Sequence, residues 1–185
     1  MALAIKSAAA PLVRSSADGH KWLLGPEGVA MLYLDPALMA ELDVVEFGWT
    51  NVAGSGTYSR ELELREGAER FECGTLNTIG CYGFGAALGL FLEIGGDRIS
   101  RKIDGLADRI VTGVEAKGYR VFTPRSAADG SGIVSFRKEG TDSDGVVRHL
   151  AANNVSASQR SGWIRAAPHF YIEEYEIDRL IELLP

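Results

Sequence analysis

The sequence predicts an α/β fold, with a compact helix-and-strand domain over residues 98–185. Three observations carry this expectation. Ile99, Ile103, Leu106, Ile110 and Val114 recur at intervals of three and four, the spacing of one buried helix face. Ile177, Leu180, Ile181 and Leu184 set a second such face at the C-terminus. Between them lie short runs of strand character, and helices alternating with strands require a layered α/β core.

The elements follow in order. Val29 to Leu34 is an apolar run ended by Asp35-Pro36, which suits a fully buried strand. Residues 48–60, rich in glycine, serine and threonine, read as a loop. Asn77 to Glu93 is apolar but carries Gly80, Gly83, Gly85 and Gly89, so a helix there needs close packing against another backbone. Gly118 stops the helix that begins near residue 98. Strands are expected over Tyr119–Thr123 and Gly132–Phe136. Asp142 or Ser143 can cap a helix running to about Ala152, which Asn153-Asn154 can end. A strand, or a pair, covers Val155 to Ala167 before the terminal helix. Residues 1–97 do not obviously close a core by themselves, and no internal repeat is evident.

Composition narrows the functional classes. A net charge of −6 gives no basic face for nucleic acid, and no apolar run approaches the ~18 residues of a membrane span. Cys73 and Cys81 are too few for a disulfide framework or a zinc site, and no metal is expected; two reduced thiols in a cytoplasmic protein is the simpler reading. Met1 to Ala17 contains Lys6 and Arg14 and no acid, superficially like a transit peptide. With Lys21 so near, the stretch reads as the start of a truncated chain.

Three segments can carry chemistry. In Asp18-Gly19-His20-Lys21-Trp22-Leu23-Leu24-Gly25-Pro26-Glu27-Gly28, a lysine set among a glycine turn and apolar neighbours would lose its ammonium solvation and offer a free amine to a carbonyl cofactor. His20 could donate to an anion; the bland alternative is a surface turn. Gly74-Thr75, ahead of the glycine-rich helix, offers backbone N–H groups and a hydroxyl to a phosphate, or simply forms an N-cap. Arg165 sits in an apolar strand pattern and should meet an anion, either a substrate carboxylate or an internal acid.

Order and context add to these signals. Gly19-His20-Lys21 followed by Gly25-Pro26-Glu27-Gly28 and a strand resembles the cofactor-lysine segment of class V aminotransferases and cysteine desulfurases. Phe71-Glu72-Cys73-Gly74-Thr75-Leu76-Asn77 is similar to their phosphate-contacting stretch. Ile164-Arg165-Ala166-Ala167-Pro168-His169-Phe170-Tyr171 resembles their carboxylate-binding strand, and the blocks occur in family order. The resemblance implies a fold type I enzyme dependent on pyridoxal 5'-phosphate. Residues 1–97 would end the large cofactor-binding domain, and residues 98–185 would form the small C-terminal α/β domain. Lys21 would be the Schiff-base lysine, His20 would help hold the phosphate, and Gly74 and Thr75 would contact the phosphate of a second subunit in a homodimer. Arg165 would bind the α-carboxylate of an amino-acid substrate, and Arg160 matches an arginine of the mobile active-site loop.

Departures from that pattern matter. Asp18 stands where many relatives carry a small hydroxyl residue, and Ile172 where asparagine is common. Ser161-Gly162-Trp163-Ile164 holds no cysteine between the two arginines, which disfavours persulfide-forming desulfurase chemistry and leaves aminotransferase, epimerase or lyase chemistry open. Relatives run to about twice this length, and the ring-stacking aromatic, the pyridine-pairing aspartate and the main phosphate loop lie upstream of their lysine. The expected function is therefore that of a class V aminotransferase-like enzyme, inactive as this chain alone. The alternatives are a noncatalytic interaction module or a desulfurase or lyase-type relative.

Overall fold

A computed structural model describes residues 14–54, 56, 62–126 and 129–185. The reading of residues 1–13, and part of that for the 48–60 loop, lies outside the described residues. The described chain falls into two compact units, residues 14–90 and 91–185.

In the first unit, β1 (Arg14–Asp18) pairs antiparallel with β2 (Ala30–Leu34), and α1 (Pro36–Glu41) follows with Asp35 as its N-cap. A 3-10 turn (Ala68–Phe71) leads to α2 (Thr78–Ile94), which continues into the second unit. The strand at β2 was expected; its burial was not borne out. Met31, Leu32 and Tyr33 are all exposed, because the described residues of the unit supply one partner strand and no layer across either face. β1 was not anticipated, since Arg14 to Asp18 has little strand character. The glycines of α2 also differ from expectation. A Cβ on Gly83 would meet the Pro26 ring at 3.1 Å, but one on Gly85 or Gly89 would meet nothing within 4 Å, so no second backbone packs there among the described residues. Among the described apolar side chains of this unit only Leu23 and Phe84 are buried, as expected for a segment that does not close its own core.

The second unit is a two-layer α/β domain. Its elements are α3 (Gly96–Ala116), β3 (Arg120–Val121), β4 (Val134–Arg137), α4 (Ser143–Ala152), β5 (Ser158–Arg160), β6 (Trp163–Ala166) and α5 (Glu174–Leu183). The strands form one antiparallel sheet in the order β3-β4-β6-β5. Leu106, Ile110 and Val114 of α3 meet Val134 and Phe136 of β4, Ile164 of β6, Leu150 of α4 and Leu180 of α5 in a continuous core. The helical phases are those expected from the sequence. Gly118 at φ +78° and Asn154 at φ +61° end α3 and α4 in left-handed caps. Ser161 and Gly162, at φ +50° and +82°, make the two-residue turn joining β5 to β6. No single helix among the described residues is long and apolar enough to cross a membrane.

Arg109 of α3 grips Asp178 of α5 with two parallel bonds, Nε to Oδ1 at 2.6 Å and Nη2 to Oδ2 at 2.7 Å. The hydrogen bond from Arg109, then its charge, hold the Asp178 carboxyl below its ordinary pKa. A depressed carboxyl contributes above its unfolded pKa and loses that contribution as pH falls through the folded value. Arg109→Gln should therefore move the Asp178 titration upward, toward the ordinary range of an aspartate, as followed by carboxyl-carbon NMR. An unmoved midpoint would show that the pair does not exist in solution.

Candidate active site

The lysine segment joins β1 to β2 through a loop held by its own backbone. Gly19 N donates to Val29 O at 2.9 Å, Gly25 N to Gly19 O at 2.7 Å, and Leu24 N to Lys21 O at 3.2 Å. Both glycines are sterically required. A Cβ on Gly19 would stand 2.8 Å from Val29 O, and one on Gly25 would stand 2.7 Å from the Phe84 ring of α2. Leu23 is buried and anchors the loop, whereas His20 and Lys21 point outward.

The expected desolvation of Lys21 is absent. Its side chain is 68% exposed and forms an ion pair with Asp18. The turn that buries Leu23 directs Lys21 to the opposite side, so its apolar neighbours in sequence do not enclose it. Asp18, which a bound phosphate would repel, is turned onto the lysine. The hydrogen bond from Lys21, then its charge, lower the Asp18 pKa.

Gly74 and Thr75 do not start the helix. α2 begins at Thr78, and the cap is Asn77, whose Oδ1 accepts from Gly80 N at 2.9 Å. Thr75 is exposed, and Gly74 O accepts from Thr50 Oγ1 at 3.2 Å. Asn77 has a second task that the sequence did not reveal: its Nδ2 donates to Gly28 O at 3.1 Å, tying the lysine loop to α2. Asparagine before an apolar helical run was the available signal. Asn77→Ala should cost about 1 kcal/mol and speed amide exchange at Gly80. Unchanged exchange there would argue against the cap.

Arg160 and Arg165 lie in the second unit, on the β5–β6 hairpin. Ile164 and Ala166 point into the helix layer, so Trp163 and Arg165 face the other side of the sheet. Arg165 stands opposite Ser135 of β4 and Ser158 of β5, and Arg160 opposite Trp163. Arg165 is half-buried, and its guanidinium meets no acid among the described residues, so the internal-acid alternative is not what the strand contains. Arg160 Nη1 donates to Gln159 O at 2.9 Å. Arg120 and Arg137 share this face through their pairing on β3 and β4, a placement visible only once the register is known.

Residues 15–178 match the family profile described as aminotransferase class-V. Isopenicillin N epimerase of Streptomyces clavuligerus is 29% identical over 181 residues, covering 90% of this chain and 45% of that protein. A probable cysteine desulfurase of Pyrococcus abyssi is 28% identical over 184 residues, covering 90% of this chain and 44% of its own length. The apo cysteine desulfurase from Thermococcus onnurineus NA1 superposes with a TM-score of 0.83 at 24% identity, covering 92% of this chain and 45% of that one. A mutant of C-DES with glycine covalently linked to its pyridoxal-phosphate cofactor superposes with a TM-score of 0.80 at 25% identity, covering 89% and 43%. The chain thus spans less than half the length of the relatives it matches, and it carries their fold type I α/β architecture. Pyridoxal phosphate is the cofactor of this group of enzymes. With the lysine turn, the capped α2 and the arginine hairpin in family order, this chain belongs to the class V aminotransferase family.

Proposed function

We propose that the chain contributes the lysine and the carboxylate-binding arginine of a pyridoxal-phosphate enzyme acting on an amino acid. The observation that carries this reading is the lysine loop, an exposed primary amine on a turn fixed by Gly19, Gly25 and Phe84. The residues present fit an anchoring role, since the amine is open to a carbonyl once the Asp18 ion pair parts. Lys21 would hold the cofactor covalently and later move the substrate Cα proton, and His20 would donate to the phosphate. Gly74 and Thr75 would serve the phosphate of a second subunit, which makes a homodimer the working unit. Exposed Leu76, Ile79 and Tyr82 around that stretch support an interface there.

When bound, the cofactor supplies an electron sink for charge developing at Cα. Arg165 would fix the α-carboxylate by paired hydrogen bonds, and Arg160 would assist from the hairpin edge. The two-residue turn at Ser161-Gly162 leaves no loop for a cysteine nucleophile, which favours transamination, epimerisation or elimination over persulfide formation. Activity belongs to the protein in which these residues are joined by the groups that the rest of a relative's length supplies, and we place it in the cytoplasm.

The test is reductive trapping. The chain is mixed with pyridoxal phosphate, reduced with borohydride and mapped by mass spectrometry. Lys21 should carry the label in preference to Lys6, Lys102, Lys117 and Lys138, and Lys21→Ala should abolish that preference. Even labelling of all five lysines would sink the reading. It would favour instead a binding module built on residues 91–185, whose self-contained core supports that second role.

A further inference from the structure

The face of the sheet opposite the helices carries two parallel rows of side chains. One row crosses all four strands as Arg120, Arg137, Trp163 and Arg160: Arg120 pairs with Arg137, Arg137 lays its guanidinium over the Trp163 ring at 4.4 Å, and Trp163 pairs with Arg160. The next row holds Phe122, Ser135, Arg165 and Ser158: Phe122 N donates to Ser135 O at 2.8 Å, and Arg165 stands between the two serines. Phe122 and Trp163 touch across the rows with ring centroids 5.0 Å apart.

This arrangement is electrostatically uncompensated. Arg109, Arg125, Arg148 and Arg179 each meet an acid, but no ion pair joins Arg120, Arg137, Arg160 or Arg165 to one among the described residues. Glu139 shares a groove with Arg120 and Arg137 without pairing to either. Like charges directly opposite on a sheet repel, so Arg120 facing Arg137 costs stability unless an anion lies between them or beside them. Ser158 Oγ, alongside Arg165, is buried with no hydrogen-bond partner, a polar group left for a ligand to satisfy.

We infer that this face holds an amino acid bearing a second, distal carboxylate, with Arg165 on the α-carboxylate and Arg137, supported by Arg120, on the distal one. The inference rests on the proposed role of Arg165 and extends it to the substrate's far end. Rows two residues apart on one face of a strand are separated by about 6.6 Å, a span that two carboxylates on a short carbon chain bridge and a single compact anion does not. Stacking on Trp163 occupies the flat face of Arg137 and leaves its in-plane N–H groups free for a bidentate grip. Trp163 and Phe122 form the apolar floor for the methylenes between.

The test needs no cofactor. Glutarate, butyrate and sulfate are titrated into the chain by 15N NMR, following the Trp163 indole N–H (assigned with Trp163→Phe) and the arginine Nε–H signals. Glutarate should bind about two- to fivefold tighter than butyrate, the effect of one further exposed charge-assisted contact. It should shift the Trp163 and Arg165 signals together. Arg137→Gln, on an exposed side chain, should reduce glutarate to the butyrate level, and Arg165→Gln should weaken both. Equal binding of glutarate and butyrate, no binding of either, or a preference that survives Arg137→Gln would each overturn the inference. So would sulfate binding as tightly as glutarate without need of Arg165. Because these probes lack an amine, their outcome is independent of the Lys21 trapping result, and the two can fail separately.

Discussion

Phe136→Ala is expected to destabilise the unit of residues 91–185 by about 3–5 kcal/mol, the cost of removing a fully buried aromatic side chain. Phe136 is wholly buried at the centre of β4, and its ring meets Tyr119 edge-on with centroids 5.4 Å apart. It is surrounded by Leu106, Ile110, Ile164 and Leu150, all fixed in helices and strands that cannot collapse far into the void. Against a domain stability of about 5–15 kcal/mol this is a large fraction, and the melting temperature should fall by roughly 15 °C or more. Urea unfolding followed by far-UV circular dichroism would measure it. Leu32→Ala, at a side chain 54% exposed on β2, should change stability by less than about 0.5 kcal/mol and serves as the contrast. Comparable losses from the two variants would mean that the core does not lie where these residues place it.

Gly19→Val is expected to dismantle the lysine loop. The new Cβ would sit 2.8 Å from Val29 O and 3.0 Å from Val29 Cγ1, and the first of these neighbours is backbone and cannot turn away. Relief requires breaking the bonds Gly19 N to Val29 O and Gly25 N to Gly19 O, at a combined cost of about 3 kcal/mol. Among its described apolar side chains the unit of residues 14–90 buries only Leu23 and Phe84, so it has little reserve to absorb that loss. Amide protection at Gly19, Leu24 and Gly25 should vanish, and the preference for Lys21 in reductive trapping should vanish with it. Gly89→Ala, whose Cβ would meet nothing within 4 Å, should leave both unchanged. Retained trapping at Lys21 in Gly19→Val would show that the amine reacts simply because it is exposed, without the loop's help.

The two halves of the chain were legible to different degrees. Within residues 98–185 the spacing of Ile99, Ile103, Leu106, Ile110 and Val114, the cap at Asp142 and the stop at Gly118 predicted elements that the structure contains. Those signals are local: each reports how a residue stands relative to its own helix or strand. Residues 14–90 were read less well for the same reason. Ala30 to Leu34 has the composition of a buried strand, but burial depends on a covering layer that no local pattern records. The environment of Lys21 went the same way, since three apolar neighbours in sequence do not surround a side chain that the turn directs outward.

By itself the sequence determined the family, through three blocks whose order no single spacing rule would generate, and the helical phases of the C-terminal unit. Periodicity and motif order are properties of the chain as written. Tertiary structure alone decided that Asp18 would engage Lys21, that Asn77 rather than Gly74-Thr75 would cap α2, and that Arg120, Arg137, Arg160 and Arg165 would share one face of a sheet. Those placements bring together residues up to 45 positions apart, from Arg120 to Arg165. Strand register and chain reversal set them, and a one-residue slip would send each arginine to the opposite face.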